Sequence, residues 1–226
     1  MEFEQHLTRD LLGPLAEVEE KNAPETLWIA GDLELLQNGP RVSVVGSRQA
    51  SPQGLARTRK LSTALVERGM VVVSGLALGV DTAAHATAIQ GGGRTIAVLG
   101  TPLDQTSPVR NRELQARIMR EHLAVSQFAP GSPVHGGNFP ARNRTMALLS
   151  DATVIVEAGA QSGTEYQAWE ALRLGRLLFV LKSVAETRHR WVGKLIHYGA
   201  QVLTDENLAV AMENMPERVS GEEIPF

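Results

Sequence analysis

Short apolar segments alternate with segments of helix length, and this alternation restricts the fold more than any other feature. The apolar segments are rich in valine, isoleucine and leucine, and they lie at residues 41–46, 70–75, 94–100, 123–128, 152–159, 177–182 and 200–205. Helix-length segments lie between them, at residues 52–68, 80–90, 108–121, 140–150, 163–175 and 189–198. Strands that are apolar on both faces and alternate with helices indicate a parallel sheet covered on both sides. We therefore predict an α/β fold, an extended Rossmann-like, doubly wound, mostly parallel sheet flanked by helices on both faces.

The predicted domain spans residues 25–213. Residues 1–24 are acidic and are predicted to form a short helix and a linker, and residues 214–226 are predicted to form a flexible tail. The chain has no cysteine, which excludes disulfides and thiolate metal sites and favours a reducing compartment. It shows no secretion signal and no stretch near the ~20 apolar residues of a membrane span, so we expect a cytoplasmic protein without a membrane partner.

Charge is distributed unevenly along the chain, although the net charge is only −3. Residues 1–37 carry nine acids and two bases, residues 204–226 carry six acids and one base, and residues 38–203 carry 10 acids and 19 bases. A basic body with acidic ends favours a polyanionic partner. The alternative is a solvated surface whose bases form salt bridges with the acidic ends.

The first candidate site follows the first strand of the alternating pattern. Gly46, Ser47 and Arg48 stand between this strand and the next helix, and Ser51 and Pro52 are predicted to be its N-cap and first residue. The end of a strand that runs into a helix start is suited to binding an anion, because free N–H groups point outward there. We therefore predict that Gly46, Ser47 and Arg48 hold a phosphate.

A second glycine-rich turn follows the next strand. Ser74, Gly75 and Gly79 are predicted to join the same phosphate-binding edge, and Asp81 is predicted to contact a ribose or another part of a ligand. The alternative for this turn is a plain strand-to-helix connection with Asp81 as the N-cap. His85 lies one helical turn after Asp81, and with no second histidine or cysteine nearby we expect it to form a structural hydrogen bond rather than to bind a metal.

The segment FPARNR places an aromatic residue beside two arginines. Arg142, Asn143 and Arg144 are predicted to contact phosphates, and Phe139 is predicted to stack on a base of single-stranded nucleic acid. The alternative is that Phe139 is packed inward and that the arginines pair with Glu157 or Asp151.

The segment SGTEY contains hydroxyl groups and a glycine at a predicted helix start. Ser162, Gly163 and Thr164 are predicted to hold a phosphate. Glu165 is predicted to orient a ribose or to act as a general base, and Glu157 is a further candidate for ligand contact. The alternative is plain helix capping, with Glu165 stabilised by the helix dipole. No cofactor and no metal are predicted.

Several of these motifs occur together in one order. VGSR, SGLALGVD, TIAVLG, NFPARNR, VIVEAG, SGT and KLIHYGAQVLTD, found over roughly residues 24–213, resemble the DprA/Smf family of DNA-processing proteins. This resemblance implies an extended Rossmann fold that binds single-stranded DNA, forms a homodimer and loads the RecA recombinase during natural transformation. It also implies DNA contacts at Gly46, Ser47, Arg48, Gly75, Arg142, Asn143 and Arg144, and no established catalytic reaction.

The chain departs from the family pattern in places. Leu78 stands where the family usually has an arginine, and the SGTE segment is similar to LOG-type nucleotide-binding proteins, which act on nucleoside monophosphates. A nucleotide sensor or a phosphoribohydrolase using Glu165 is therefore one alternative. A regulatory or antitoxin-type protein of a defence or toxin–antitoxin locus, with a partner encoded at the same locus, is the other.

Overall fold

One mixed sheet forms the centre of the molecule. The computed structural model describes residues 3–37, 39–159 and 163–214. Within these residues nine strands make a single sheet. They are β1 (Glu4–Leu7), β2 (Thr26–Gly31), β3 (Arg41–Gly46), β4 (Val71–Ser74), β5 (Thr95–Leu99), β6 (Leu123–Ser126), β7 (Ala152–Glu157), β8 (Leu177–Leu181) and β9 (Gln201–Leu203).

The strand order is β1-β2-β6-β5-β4-β3-β7-β8-β9. From β6 to β9 every neighbouring pair is parallel, whereas β1–β2 and β2–β6 are antiparallel. The chain therefore moves outward from β3 in one direction through β4, β5 and β6, and in the other direction through β7, β8 and β9. This order confirms the predicted doubly wound, mostly parallel sheet, and it places the switch in direction between β3 and β7.

Helices cover both faces of the sheet. They are α1 (Thr8–Leu12), α2 (Glu17–Glu20), α3 (Pro52–Glu67), α4 (Val80–Gln90), α5 (Arg112–Glu121), α6 (Asn138–Leu148), α7 (Thr164–Arg173), α8 (Lys182–Ala185), α9 (Arg190–His197) and α10 (Leu208–Glu213). Successive strand residues point to opposite faces, so Val71 and Val73 join the core beneath α6, α7 and α9, whereas Val72 joins the core beneath α3, α4 and α10. Both faces are buried, which explains why the central strands are apolar throughout.

Residues 3–24 differ from the predicted helix and linker. Glu4–Leu7 forms β1, which pairs antiparallel with β2 at the edge of the sheet, and α1 and α2 follow it. The β1 segment is only half-buried, with the pattern exposed, exposed, intermediate, intermediate. A short edge strand of this kind carries no apolar run, so the pattern that predicted the central strands missed it. At the other end of the chain, residues 215–226 of the predicted tail lie outside the described residues.

Arg41 and Asp151 form a buried ion pair at the start of β3. The Arg41 Nη2 lies 3.1 Å from Asp151 Oδ1, and the two side chains are 2% and 5% exposed. The Arg41 Nη1 also donates to the Leu36 carbonyl at 2.5 Å. Asp151 therefore pairs with Arg41. The alternative interpretation, in which Asp151 pairs with an arginine of the FPARNR segment, is wrong.

His85 is a fully buried residue of α4. Its Nδ1 lies 2.7 Å from the Thr95 hydroxyl, which in turn donates to the Val72 carbonyl. The predicted structural hydrogen bond is present, but the partner is Thr95 rather than Asp81. Groups of three or more potential metal-ligating side chains are absent among the described residues. In the same part of the chain, none of the helices has the length and apolar character needed to span a membrane.

Burial of His85 makes the stability of the fold sensitive to acid. Desolvation lowers the pKa of His85 from 6.5 to about 3. An unfolded chain takes up this proton near pH 6.5 and the folded chain only near pH 3, so the stabilisation is complete above pH 6.5 and is lost as the pH falls towards 3. We expect the free energy of unfolding to fall by up to about 1.4 kcal/mol per pH unit in this window on account of His85 alone.

Urea unfolding at several pH values between 4 and 7 measures this effect. His85→Gln should flatten the pH dependence, whereas His135→Gln, which alters an exposed loop histidine, should leave it unchanged. If the free energy of unfolding of His85→Gln falls with pH as steeply as that of the wild type, the acid sensitivity arises from other groups.

Candidate functional site

A cleft of about 620 Å³ lies at the carboxyl ends of the central strands. It is beside the switch point between β3 and β7, where ligands bind in doubly wound sheets. The structure brings together many of the predicted site residues in its lining, namely Gly46, Ser47, Arg48, Asp81, Phe139, Arg142, Asn143, Gly163 and Thr164. Its other lining residues are Val45, Gln49, Ala77, Gly136, Pro140, Met146, Gly159, Tyr166 and Gln167.

The turn after β3 is held closely against its neighbours. A Cβ at Gly46 would lie 2.7 Å from Val80 Cγ2 and 2.8 Å from the Glu157 carbonyl oxygen, so only glycine fits there. The Ser47 amide donates to the same Glu157 carbonyl at 2.8 Å. This amide therefore has an internal partner and is not directed at a ligand as predicted. The turn offers the cleft the Ser47 hydroxyl and the Arg48 side chain instead.

Arg48 lies over the ring of Phe139. Its guanidinium carbon is 5.5 Å from the ring centroid, a cation–π distance. The ring in turn packs on Gly100, where a Cβ would lie 2.6 Å from Phe139 Cδ1. Arg48 is exposed and Phe139 is half-buried. The predicted aromatic and cationic pair is therefore present, and Arg48 lies over one face of the Phe139 ring.

Arg142 lies at the floor of the cleft and is 5% exposed. Its Nη1 donates to the carbonyls of Gly75 and Val98, the latter at 2.9 Å, which links the ends of β4 and β5 to α6. A Cβ on Gly75 would overlap this guanidinium, so the glycine is required by the arginine. The structure thus shows a contact between Gly75 and Arg142, and their predicted phosphate contacts stay predictions.

Asp81 is the acidic neighbour of Arg142. Its carboxylate accepts a hydrogen bond from the Ala77 amide at 3.2 Å. Burial raises the pKa of Asp81, and the positive charge of Arg142 partly opposes this rise. Burial likewise lowers the pKa of Arg142, opposed by the charge of Asp81. Asp81 therefore stabilises the turn before α4 from inside, although the N-cap of that helix is Gly79.

Two further residues of this turn have structural contacts. The Ser74 hydroxyl donates to the Val44 carbonyl at 2.7 Å, joining β4 to β3. Gly79 has a φ of 78°, and a side chain there would overlap the Ser47 carbonyl. Both residues fix the second turn against the first, and their predicted binding of phosphate stays a prediction.

The first turn of α7 forms the opposite wall. The Asn143 side-chain amide donates to the Gly163 carbonyl at 3.1 Å, which connects α6 to α7. Thr164 is buried at the start of the helix, and Tyr166 is 63% exposed. The start of this helix directs positive dipole charge into the cleft, which favours an anion there. Ser162 lies outside the described residues.

Like Ser74, Gly75 and Gly79, three more predicted residues do not line the cleft. Glu157 accepts hydrogen bonds from the Ser51 amide at 2.9 Å and the Ser51 hydroxyl at 2.5 Å, so it anchors the N-cap of α3. Glu165 faces the other side of α7, where it accepts from Trp169 Nε1 at 3.4 Å. Arg144 is exposed on α6 outside the lining. The ribose-contact and general-base roles predicted for the two glutamates are not supported by these positions.

A family model for DNA recombination-mediator protein A matches residues 12–213. The chain belongs to this family. Protein Smf of Synechocystis is 41% identical over 192 residues, which are 83% of this chain and 48% of that protein. DNA processing protein DprA of Streptococcus pneumoniae is 41% identical over 184 residues, which are 81% of this chain and 64% of that protein. The chain thus matches between about half and two thirds of the length of these relatives.

Solved structures of family members have the same fold. DprA from Streptococcus pneumoniae superposes with a TM-score of 0.80 at 36% identity, covering 92% of this chain and 74% of that one. DNA processing protein A from Helicobacter pylori, whose structure concerns a single-stranded DNA binding mode, also gives 0.80, at 27% identity and covering 95% and 97%. A molybdenum cofactor binding protein from Rippkaea orientalis shares the fold alone, at 19% identity and a TM-score of 0.57.

Three polar or aromatic residues that line the cleft were not predicted from the sequence. Gln49 lies next to the predicted Arg48, and Tyr166 and Gln167 follow the predicted Gly163 and Thr164. Tyr166 could have been predicted from its position in the first turn of α7. The predicted phosphate site is at the start of this helix, so residues of its first turn lie beside that site. Gln167 is 1% exposed, and burial of a glutamine has no signal in a single sequence.

Proposed function

We propose that this chain binds single-stranded DNA in the cleft and acts in DNA processing and recombination. The observation that carries the proposal is the exposed Arg48 guanidinium, held on the Phe139 ring above a cleft that also receives the start of α7. A fixed guanidinium and a helix start are both suited to phosphate oxygens. The Helicobacter pylori relative, whose structure concerns a single-stranded DNA binding mode, supports the same ligand class.

Binding is electrostatic in this proposal. Arg48 neutralises one phosphate, and the first turn of α7 at Gly163 and Thr164 faces a second. Arg144, exposed on α6, contacts a further phosphate outside the cleft. Arg142 and Asp81 bind no DNA themselves; they hold the strand ends on which the cleft is built.

The proposal extends to what the family resemblance implies for the whole protein. We propose a cytoplasmic homodimer that loads RecA onto the bound strand. Its support is the match of the family model over residues 12–213.

The nucleotide-hydrolase alternative has less support. It needs a carboxylate at the bound nucleotide, and Glu165 lies on the far side of α7 against Trp169. Asp81 is the carboxylate among the described lining residues, and it is buried and accepts a hydrogen bond from the Ala77 amide.

Fluorescence anisotropy with an oligodeoxythymidine and a duplex of equal length tests the proposal. We expect the single strand to bind at least about tenfold more tightly at moderate salt, because exposed bases gain contacts in the cleft that a paired duplex cannot make. A competing nucleoside monophosphate should displace little of the strand and release no base. Equal binding of duplex and single strand, or full displacement with release of base, would contradict the proposal.

A further inference from the structure

The cleft contains two aromatic side chains, and they differ in what covers them. Phe139 is half-buried, packs on Gly100 and carries the Arg48 guanidinium 5.5 Å from its ring centroid. A base that stacked on the face beneath Arg48 would have to displace this side chain, which is itself the proposed phosphate ligand. Phe139 is therefore less available for stacking than an uncovered ring.

Tyr166, in contrast, is largely exposed. It is 63% exposed and lines the cleft from the first turn of α7. Neither a hydrogen bond nor a ring contact joins its side chain to another described residue. Tyr198, which is 65% exposed, has ring contacts with Trp169 and His197 at 5.7 and 5.3 Å. Tyr166 is thus an aromatic side chain that lines the cleft and is largely exposed.

The backbone beneath Tyr166 is fixed on several sides. Thr164 and Gln167 are 7% and 1% exposed, so the helix turn that carries the tyrosine is anchored in the protein. The Asn143 amide holds the Gly163 carbonyl just before the turn. A ring on a rigid turn loses little freedom when a ligand stacks on it, which favours binding.

We propose that Tyr166 is the base-stacking residue of this cleft, and that it takes a nucleobase of the strand whose phosphate contacts Arg48. The inference rests on the proposed function, since it assigns the base contact of the same DNA site. Every base has a π-face, so a single tyrosine platform binds single-stranded DNA with little preference for sequence. The tyrosine hydroxyl is not needed for this contact.

The test compares an oligodeoxythymidine with an abasic oligonucleotide of the same length and charge. Tyr166→Ala should weaken oligodeoxythymidine binding about tenfold, as expected for loss of one base–aromatic stack, and should leave binding of the abasic strand and the salt dependence unchanged. Tyr166→Phe keeps the ring and should bind like the wild type. Tyr198→Ala removes an equally exposed tyrosine outside the cleft and should also bind like the wild type.

Two results would overturn this assignment. Wild-type affinity of Tyr166→Ala for oligodeoxythymidine would exclude the stack, and an equal loss on both oligonucleotides would show that the tyrosine acts on the backbone or on the fold. In both cases the wild-type protein still binds the strand, so the proposed function stands. If the wild-type protein binds neither oligonucleotide, the proposed function fails first.

Discussion

Arg142→Ala should lower the free energy of unfolding by about 3 kcal/mol, a large part of the stability of a typical domain. The substitution leaves the Gly75 and Val98 carbonyls at the strand ends without their donor. It also leaves the buried Asp81 carboxylate without the positive charge that opposes its desolvation. Urea unfolding at pH 7 measures the loss. Arg68→Ala, an exposed arginine at the far end of α3, is the matched control and should change stability by less than about 0.5 kcal/mol.

A double-mutant cycle shows whether Arg142 acts through Gly75. Gly75→Ala alone should destabilise the wild type by about 2 kcal/mol, because its Cβ overlaps the Arg142 guanidinium. In the Arg142→Ala background the same change should cost less than about 1 kcal/mol, since the overlapping group is gone. If the two substitutions lower the free energy of unfolding additively, the Gly75 Cβ and the Arg142 guanidinium do not compete for one space. The structural role assigned to Arg142 would then be wrong.

The central fold was predictable because its signal is repeated. Each of β3 to β9 is a short apolar segment followed by a turn and a helix-length segment, and a parallel sheet buried on both faces requires that pattern. Strands β1 and β2 extend the sheet beyond β6 with antiparallel pairing. Glu4–Leu7 is half-exposed and contains charged and polar residues, so its strand conformation depends on pairing with β2, and pairing with a distant segment leaves no local pattern.

The site was predictable in place but not in the roles of its residues. The segments after β3 and before α6 and α7 meet at one cleft because the carboxyl ends of parallel strands lie at one edge. A sequence does not reveal which arginine is buried. Arg48 and Arg142 look equally suited to phosphate, yet one is exposed over Phe139 and the other is 5% exposed and bonded to backbone carbonyls.

The same limit applies to the aromatic residues. Phe139 stands beside two arginines in the sequence and suggested a stacking surface, but Arg48, which is distant in sequence, occupies its ring. Tyr166 stands beside an acidic residue and gave no such suggestion. The position of Tyr166 in the first turn of α7 was the signal for it, and the lining of the cleft shows that its side chain lies there.

Arg48→Ala should weaken binding of an oligodeoxythymidine about tenfold, the second large effect expected from the structure. The side chain is exposed above the cleft, and a charge-assisted hydrogen bond to phosphate is worth about 1.5–3 kcal/mol. Adding Arg144→Ala removes a second proposed phosphate contact and should weaken binding further. The stability of both variants should stay near that of the wild type, because neither arginine is buried. Anisotropy titrations together with urea unfolding separate the two effects.

The dependence of affinity on salt is the measurement that tests DNA binding in the cleft most directly. Each phosphate contact on a single strand contributes about 0.7 to the slope of log K against log salt concentration. The Arg48→Ala/Arg144→Ala variant should therefore bind with a slope shallower by about 1.4 than the wild type, while Arg68→Ala keeps the wild-type slope. An unchanged slope in the double variant would show that these arginines do not contact the strand and that DNA does not bind at this cleft.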